Sequence, residues 1–232
     1  MLFNWHHQNR EDWAERPGLW LTGSECDAWL LCSETSDAIT YASDWLRSAP
    51  KGDLEHYQRL LDQWLAYYER LGIGMISFGA MIFRRRSGRR NWFRAESSPP
   101  GRPAGSCSAQ IERVFAAQDF LQEVADDRQL FDRSFRLIAE HEIEHSLRVE
   151  GGRLTARQAL LRQTEGFGFV GKVDRLVVDL LAGCDGQRPL RQVSAELAPR
   201  ENLTPEQVSS AAVGVIRRLL ETGFLAVGRP TA

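Results

Sequence analysis

The stretch "IGMISFGAMIF" at residues 73–83 predicts a strand that is covered on both faces. Successive residues of a strand point to opposite faces, and apolar or small side chains occupy both faces here. Such strands occur in sheets that carry helices on both sides, whereas strands of one-sided sheets alternate apolar and polar residues. The sequence therefore predicts a buried strand packed between two layers. One face consists of Ile73, Met75, Met81 and Phe83, and the other of Ile76, Phe78, Ala80 and Ile82.

A short strand and two amphipathic helices are predicted before this stretch. The segment "AWLLC" at residues 28–32 is typical of a short buried strand. The first helix follows it and stops before Pro50 and Gly52. The second begins at Asp53 as its N-cap and ends at Gly72. The apolar stripes consist of Ile39, Ala42, Trp45 and Leu46 in the first helix, and of Leu54, Tyr57, Leu61, Trp64, Leu65, Tyr68 and Leu71 in the second.

An arginine cluster follows the strand in "RRRSGRRNWFR", residues 84–94. It is the strongest local charge in a chain whose net charge of −2 gives no general attraction to nucleic acid. With an RNA substrate, the arginines would neutralise phosphates and Trp92 or Phe93 would stack on bases. The alternative is a solvated strand end or hairpin loop. The cluster consists of Arg84, Arg85, Arg86, Arg89, Arg90 and Arg94.

A linker is predicted at residues 97–108, because "SSPPGRPAGSCS" is rich in proline, glycine and serine and poor in apolar residues. It separates an α/β portion, residues 1–96, from residues 109–232. The second portion begins with a helical pattern from Ile111 that continues to about residue 132.

From Phe135 to Val149 the apolar residues occupy odd positions, which predicts one strand with one buried face. The "EGG" turn at residues 150–152 and a returning strand at residues 154–160 complete a hairpin. Within it, "HEIEH" at residues 141–145 matches the H-E-x-x-H pattern, which binds zinc only on a helix. On a strand the two histidines are about 13 Å apart along the chain, whereas each zinc-bound nitrogen lies about 2 Å from the ion. No metal ligand is therefore predicted, and a zinc hydrolase would require residues 135–149 to be helical.

The last 60 residues predict three short helices followed by the strand "FLAV". The third helix is the best marked, with a capping box of Thr204 and Gln207, Pro205 at its first position and Gly223 at its end. The second is predicted to start at Pro189, after a turn at "CDGQRPL". This order resembles a winged-helix arrangement, whose second and third helices bind nucleic acid or pack against a neighbour. Packing is favoured, because the third helix has only Arg217 and Arg218 as a basic pair.

Composition indicates a soluble cytoplasmic protein. Hydrophobic residues make up 43% and charged residues 26%, and no apolar run reaches the roughly 18–20 residues of a membrane span. The segment "MLFNWHHQNREDW" has no basic leader with an apolar core. The four cysteines form no CxxC pair, so they are predicted to be free thiols rather than zinc ligands.

Three separated stretches point to a known family: "NWHHQNREDWAERPGLWLTG…CDAWLL", "YYERLGIGMISFGAMIFRRR…NWFRAE" and "LLAGCDGQRPLRQV". Together they resemble the C-terminal part of bacterial class I S-adenosylmethionine-dependent methyltransferases with a winged-helix-like tail. The resemblance implies the last strands and helices of a doubly wound sheet, followed by an α+β winged-helix-like domain. "MLFNW" would then be near the fifth strand, "DAWLL" the sixth and "IGMISFGAMIF" the seventh.

The chain departs from this family at its two functional motifs. It has neither the glycine-rich loop that follows the first strand nor the Asn/Asp-Pro-Pro-Tyr motif that follows the fourth. "GFGFVG" at residues 166–171 lacks the strand-loop-helix context of a cofactor loop, and "SSPPG" at residues 97–101 lacks the aromatic and amide residues. The resemblance therefore implies the C-terminal portion of a longer enzyme. This portion would bind no cofactor and be inactive alone, and S-adenosylmethionine would serve the complete enzyme.

The predicted role of the chain is substrate recognition, with RNA or protein as the substrate. The alternative is a non-enzymatic module that binds nucleic acid or protein through the winged-helix-like tail and the arginine cluster. Without the other strands of its sheet, the chain would expose a sheet edge and self-associate. For two of the candidate residues, Asn4 and Trp5, the alternative interpretation is that they pack at a strand edge. The candidate substrate-binding residues are Asn4, Trp5, Arg84, Arg85, Arg86, Arg89 and Arg90.

Overall fold

The computed structural model of the chain describes residues 1–8, 13–47, 54–99, 101, 103–124 and 126–228, without the side chains of residues 154–158. The chain divides into an N-terminal unit, residues 1–100, and a C-terminal unit, residues 101–232. Both contain helices and open sheets, which confirms the α/β class. None of the helices in the described ranges has both the length and the apolar character needed to cross a membrane.

In the part of the N-terminal unit that the structure describes, a mixed four-stranded sheet is accompanied by three helices. The strand order is β1-β3-β2-β4, in which β3 is antiparallel to both β1 and β2, while β4 is parallel to β2. Strands β1, β2 and β4 therefore run in one direction and β3 runs in the other. The strand predicted within residues 73–83 is confirmed as β3, which lies between β1 and β2. The elements are β1 (Leu2–His7), α1 (Glu15–Trp20), β2 (Cys26–Asp37), α2 (Ala38–Leu46), α3 (Leu54–Leu71), β3 (Met75–Arg85) and β4 (Phe93–Ser97).

The two faces of β3 differ in burial. On one face Met75, Ser77, Gly79 and Met81 are buried, and Met81 belongs to a core cluster with Trp5, Ala28, Leu30 and Cys32. On the other face Phe78 is 42% exposed, and Phe83, at the far end of the Met81 face, is also exposed. The prediction that both faces are covered is therefore wrong at Phe78 and at Phe83, one position on each face.

The two predicted helices are confirmed as α2 and α3. The apolar stripe predicted for α2 is only partly buried. Ala42 and Leu46 are buried, whereas Ile39 and Trp45 are exposed. Gly72 follows α3 with a φ of +66°, as expected for the glycine that ends a helix. Pro50, Gly52 and the predicted N-cap Asp53 lie outside the described residues.

Gly79 allows β2 and β3 to approach closely at an irregularity in their pairing. The register shifts between Cys32 and Glu34, which is typical of a β-bulge. A Cβ atom on Gly79 would overlap the carbonyl oxygen of Leu31 on β2. Glycine inside a strand often marks such a close backbone approach.

The described residues of the C-terminal unit form two three-stranded antiparallel sheets, β10-β5-β9 and β6-β7-β8, and five helices. Residue Ala104 of the predicted linker exchanges two backbone hydrogen bonds with Gly166, of 2.9 and 2.7 Å. The elements are α4 (Ser108–Glu123), α5 (Asp127–Phe131), β5 (Ser134–Leu137), β6 (His141–Glu150), β7 (Arg153–Gln163), β8 (Val170–Val173), α6 (Arg175–Gly183), β9 (Asp185–Pro189), α7 (Leu190–Leu197), α8 (Pro205–Glu221) and β10 (Leu225–Val227).

The single strand predicted from Phe135 to Val149 is wrong. Strand β5 ends at Leu137 and β6 begins at His141, and the two strands belong to different sheets. The chain turns between them, where the backbone oxygen of Ile138 lies 2.6 Å from Nδ1 of His141. The "HEIEH" segment is nevertheless on a strand, as predicted. The predicted buried face fails at Leu147 and Val149, which are exposed, because β8 pairs only with residues 159–162 of β7 and leaves the tip of the hairpin without a third strand.

The three predicted helices and final strand near the chain end are confirmed as α6, α7, α8 and β10. The capping box is present, since Gln207 N donates to Thr204 Oγ1 (3.3 Å) and Thr204 N donates to Gln207 Oε1 (2.9 Å). The "CDGQRPL" segment differs from the predicted turn, because it contains strand β9, which pairs with β5. Helix α7 starts at Leu190, one residue after Pro189.

A buried network of amide side chains explains the glycine repeat "GFGFVG". Gln110 Nε2 donates to Gln163 Oε1 (2.8 Å) and to the backbone oxygen of Thr222 (2.9 Å). Gln110 Oε1 in turn accepts from Phe167 N (2.8 Å). Gly166 has a φ of +83°, and a Cβ there would overlap Gln110 Oε1. The repeat is therefore a tight turn packed on Gln110 rather than a loop around a ligand.

The carboxylate of Asp185 in β9 predicts a pH-dependent contribution to stability. Hydrogen bonds from the backbone N–H groups of Arg188 and Gln187, and then from the Arg188 side chain, lower the pKa of Asp185 from 3.8 to about 2. A lowered pKa in the folded state stabilises the protein above the unfolded value, and this stabilisation is lost as the pH falls from about 4 to about 2. We expect Asp185→Asn to lower the Tm at pH 6 and to have little effect at pH 2. A Tm difference that stays constant from pH 6 to pH 2 would contradict this assignment.

Candidate functional site

Asn4 and Trp5 are neighbours in β1 and lie on opposite faces of the sheet. Trp5 is buried in the core cluster, and its indole N–H donates to the backbone oxygen of Trp13 at 2.5 Å. Asn4 is exposed and donates from Nδ2 to the hydroxyl of Tyr41 at 3.0 Å. Trp5 therefore has a packing role, whereas Asn4 faces a cleft.

This aromatic cleft has a volume of about 250 Å³. Residues of β1, β2, α2 and β3 form it: Asn4, Glu34, Ser36, Tyr41, Asp44, Trp45, Ile76 and Phe78. Trp45 is 59% exposed, and its ring centroid lies 6.2 Å from that of Tyr41. Asp44 also forms an exposed 2.9 Å salt bridge with Arg47. Aromatic faces beside carboxylates provide a surface for a planar or cationic group.

A second cleft, the histidine cleft, has a volume of about 330 Å³ and lies at the carboxyl end of β1. In open α/β sheets, ligands bind outside the carboxyl ends of the strands. The histidine cleft lies at such an end, that of one strand of this mixed sheet. Its residues are His6, His7, Gln8, Glu15, Arg16, Leu19, Leu71 and Gly72.

His6 is the titratable group of the histidine cleft whose pKa is clearly shifted. Burial lowers the pKa of His6 below 6.5, and the positive charge of Arg16 and the neighbouring His7 lower it further. Arg16 Nη1 lies 2.6 Å from Nε2 of His6. The lowered pKa favours the neutral imidazole over the charged form.

A buried polar chain next to this cleft has a structural role. His7 Nε2 lies 2.9 Å from Ser77 Oγ, and Ser77 Oγ lies 2.8 Å from Thr35 Oγ1. The spacing is that of a serine nucleophile and its base. Ser77 is 0% exposed, however, so no substrate reaches its hydroxyl. These hydrogen-bonded side chains instead connect β1, β3 and β2.

The arginine cluster is organised by Asp27, which is 1% exposed. Its carboxylate accepts hydrogen bonds from Arg84 Nη2 (2.7 Å), Asn91 Nδ2 (3.2 Å) and Trp92 N (3.3 Å). Arg86 Nη1 lies 3.9 Å from the same carboxylate. Asp27 thus fixes the end of β3 to the turn that leads into β4.

The remaining arginines are placed differently. Arg85 lies 3.8 Å from Glu25 in an exposed salt bridge, and Arg89 and Arg90 are exposed in the turn after β3. Arg94 forms a 2.6 Å salt bridge with Glu96, which also accepts from Trp29 Nε1 at 2.8 Å.

Asn4 and the arginine cluster do not share one site. Asn4 pairs with Phe78, and Arg84 lies six residues further along β3, or about 20 Å at 3.3 Å per residue. The substrate-binding role of each remains a prediction, but a small ligand cannot contact both.

The basic residues of α8 are also paired with carboxylates. Arg217 Nη2 lies 2.7 Å from Asp127, and Arg218 Nη1 lies 3.8 Å from Glu221. In the described ranges, no group of three or more His, Cys, Asp or Glu residues could hold a metal ion.

Sequence patterns missed several residues of the two clefts. Tyr41 and Asp44 carried no signal, and Trp45 was assigned to the buried stripe of its helix because its spacing fits. His6 and Arg16 are ten residues apart, and nothing in the sequence pairs them. Asp27 was also missed, although a carboxylate beside "AWLLC" is an unusual start for a buried strand.

Comparison with known proteins identifies the C-terminal half of the chain. The family described as "Domain of unknown function (DUF7782)" matches residues 112–227, from α4 to β10. No curated protein matches the chain.

Proposed function

Since the chain belongs to the family of the domain of unknown function DUF7782, we propose its function from the sheet that precedes that domain. In this proposal, residues 1–100 supply the last strands of the doubly wound sheet of an S-adenosylmethionine-dependent methyltransferase. The family domain forms its winged-helix-like tail. The chain contributes substrate recognition, and the cofactor loop and catalytic motif belong to the preceding part of the enzyme.

The direction of the strands is the observation that carries this proposal. Strands β1 and β2 run parallel although they do not pair, because β3 lies between them and runs the opposite way. Parallel strands require a crossover connection, and α1 lies in the connection between β1 and β2, whereas α2 and α3 connect β2 to the antiparallel β3. Doubly wound sheets commonly include one antiparallel strand. The order is compatible with "MLFNW", "DAWLL" and "IGMISFGAMIF" as the closing strands of such a sheet.

The free edge of β1 supports the same proposal. Among the described residues β1 pairs with β3 alone, so its other edge has no strand partner. Edge strands are usually protected because their free N–H and C=O groups recruit other strands. In the complete enzyme, a parallel strand would occupy this edge and continue the sheet.

The aromatic cleft is the proposed acceptor site. It contains Asn4, whose amide is oriented by Tyr41, together with the exposed rings of Trp45 and Phe78. These planar surfaces would hold the acceptor by stacking, and the carboxylates of Glu34 and Asp44 would favour a positively charged protein segment over RNA phosphates.

The first test uses the coding sequence and the enzyme that it encodes. We expect the DNA upstream of Met1 to encode, in frame, a glycine-rich loop and an Asn/Asp-Pro-Pro-Tyr motif. The complete protein should transfer a labelled methyl group from S-adenosylmethionine to protein, whereas calorimetry should detect no binding of the cofactor by the present chain. An upstream stop codon without these motifs, or micromolar binding by the present chain, would overturn the proposal.

A matched pair of variants tests the acceptor site in the complete enzyme. Trp45→Ala should raise the KM for the acceptor about tenfold, because it removes a stacking surface. Trp20→Ala, which removes an equally exposed tryptophan outside the cleft, should leave the KM unchanged. Equal effects of both variants would exclude the cleft as the acceptor site. Methyl transfer to RNA, weakened by changes to Arg89 and Arg90, would favour the arginine cluster instead.

Self-association of the present chain is a further expected result. The free β1 edge and exposed apolar residues such as Leu2 and Phe78 belong to the same unit. We expect sedimentation velocity at tens of micromolar to show dimers or larger species, because apolar patches and strand edges pair between copies. A monomer throughout that range would count against an exposed edge.

A further inference from the structure

An apolar pocket of about 280 Å³ in the C-terminal unit has no part in the proposed function. Strands β7 and β8 form one side, and helices α6 and α8 form the other. Binding sites for small molecules are mostly apolar with a few polar groups, and this pocket has that composition. Its apolar wall includes Leu161, Phe169, Val173, Val177, Val215 and Leu219.

Two glycines keep the pocket open. Gly171 lies in β8 and Gly214 lies in the middle of α8, and a Cβ atom built on either would meet no atom within 4 Å. Glycine inside a helix lowers its stability relative to alanine. At position 214, the chain therefore carries a helix-destabilising residue where a larger one would fit.

The charged residues among the described lining of the pocket are positive. Lys172 and Arg218 line it, and none of the described lining residues is a carboxylate. Arg218 also lies 3.8 Å from Glu221, but the Arg218 side chain is 57% exposed and such salt bridges near the surface contribute little. The pocket thus combines an apolar wall with positive charge at its rim.

We propose that this pocket binds a small amphipathic carboxylate. The apolar chain or ring lies between β8 and α8, and Arg218 and Lys172 bind the carboxylate, because both cations donate charge-assisted hydrogen bonds to such a group. At about 30 Å³ per non-hydrogen atom, as in liquid water, the volume accepts roughly nine atoms. Octanoate is a suitable probe of this size and charge.

Isothermal titration of the whole chain with octanoate tests the proposal. We expect a dissociation constant of about 0.1–1 mM, as is usual for a ligand of this size. Octanol has the same chain without the charge and should bind about tenfold more weakly. Arg218→Gln should weaken octanoate about tenfold and leave octanol unchanged.

Filling the pocket provides the matched control. Gly214→Leu should abolish binding of octanoate and keep or raise the Tm, because leucine fills the space and favours helix. Ala211→Leu adds the same side chain at an exposed position of α8 that does not line the pocket, and it should bind octanoate normally. Absence of octanoate binding at about 10 mM, ten times the weakest constant expected for such a ligand, would overturn the proposal. Equal affinity for octanol, or normal binding by Gly214→Leu, would also overturn it. These outcomes are independent of any methyl transfer.

Discussion

Gly79→Ala should destabilise the N-terminal unit by about 3–4 kcal/mol. The added Cβ would overlap the carbonyl oxygen of Leu31, which is backbone and cannot move aside as a flexible side chain would. Relief requires β2 and β3 to separate at the point where their register shifts, in the centre of the sheet. The hydrogen bonds of both strands would weaken there.

Tryptophan fluorescence is a selective measure of this loss. All seven tryptophans lie between residues 5 and 92, so emission excited at a tryptophan-specific wavelength reports only the N-terminal unit. We expect a lower midpoint of urea unfolding for Gly79→Ala. Gly171→Ala is the control, because it changes a strand glycine whose Cβ would meet no atom within 4 Å; its stability is followed by far-UV circular dichroism, since Gly171 lies in the C-terminal unit. A shift below about 1 kcal/mol for Gly79→Ala would show that the two strands do not approach as closely as described.

Asp27→Ala should cost about 3 kcal/mol of stability in the same unit. The substitution removes a buried carboxylate and leaves the guanidinium of Arg84, the amide of Asn91 and the N–H of Trp92 without that acceptor. Removing one partner of a buried charge pair is more costly than removing an exposed pair, because the remaining charge stays desolvated. Because Arg84 is partly exposed, water can solvate its charge after the substitution, and the expected loss of stability is at the lower end of the range for buried salt bridges.

The salt bridge between Glu25 and Arg85 is the natural control for Asp27. It lies at the same end of β3, but both side chains are exposed and the atoms are 3.8 Å apart. Glu25→Ala should therefore change the free energy of unfolding by less than about 0.5 kcal/mol. Both losses are measured by urea unfolding followed by tryptophan emission. Similar losses for the two variants would show that Asp27 does not organise the arginine cluster.

Local patterns were sufficient to predict the elements whose signals lie within a few residues. The capping box at Thr204 and the glycine after α3 depend on neighbours in sequence, and both are present. The strand at residues 73–83 was also predictable, because its sequence is almost continuously apolar or small, as is typical of strands inside a protein.

Features that depend on distant partners could not be predicted in this way. Strand β9 has a turn-like sequence, "DGQRP", and it becomes a strand because β5 pairs with it. The exposure of Leu147 depends on where β8 ends rather than on the alternation in β6. The clefts have the same origin, since the contact of Asn4 with Tyr41 joins residues that only the tertiary fold brings together.

The interior position of β3 determines when the first sheet can form during synthesis on the ribosome. Leu2 pairs with Ala80 and Leu31 also pairs with Ala80, so β1 and β2 have no β3 partner until the chain has been made beyond that residue. At about 5–20 residues per second, the apolar segment around Leu31 remains unpaired for roughly 2–10 s. The hairpin of β6 and β7, in contrast, closes over a short turn as soon as both strands emerge. During synthesis, the sheet of the N-terminal unit is therefore exposed to chaperones and to aggregation for longer than the hairpin of β6 and β7.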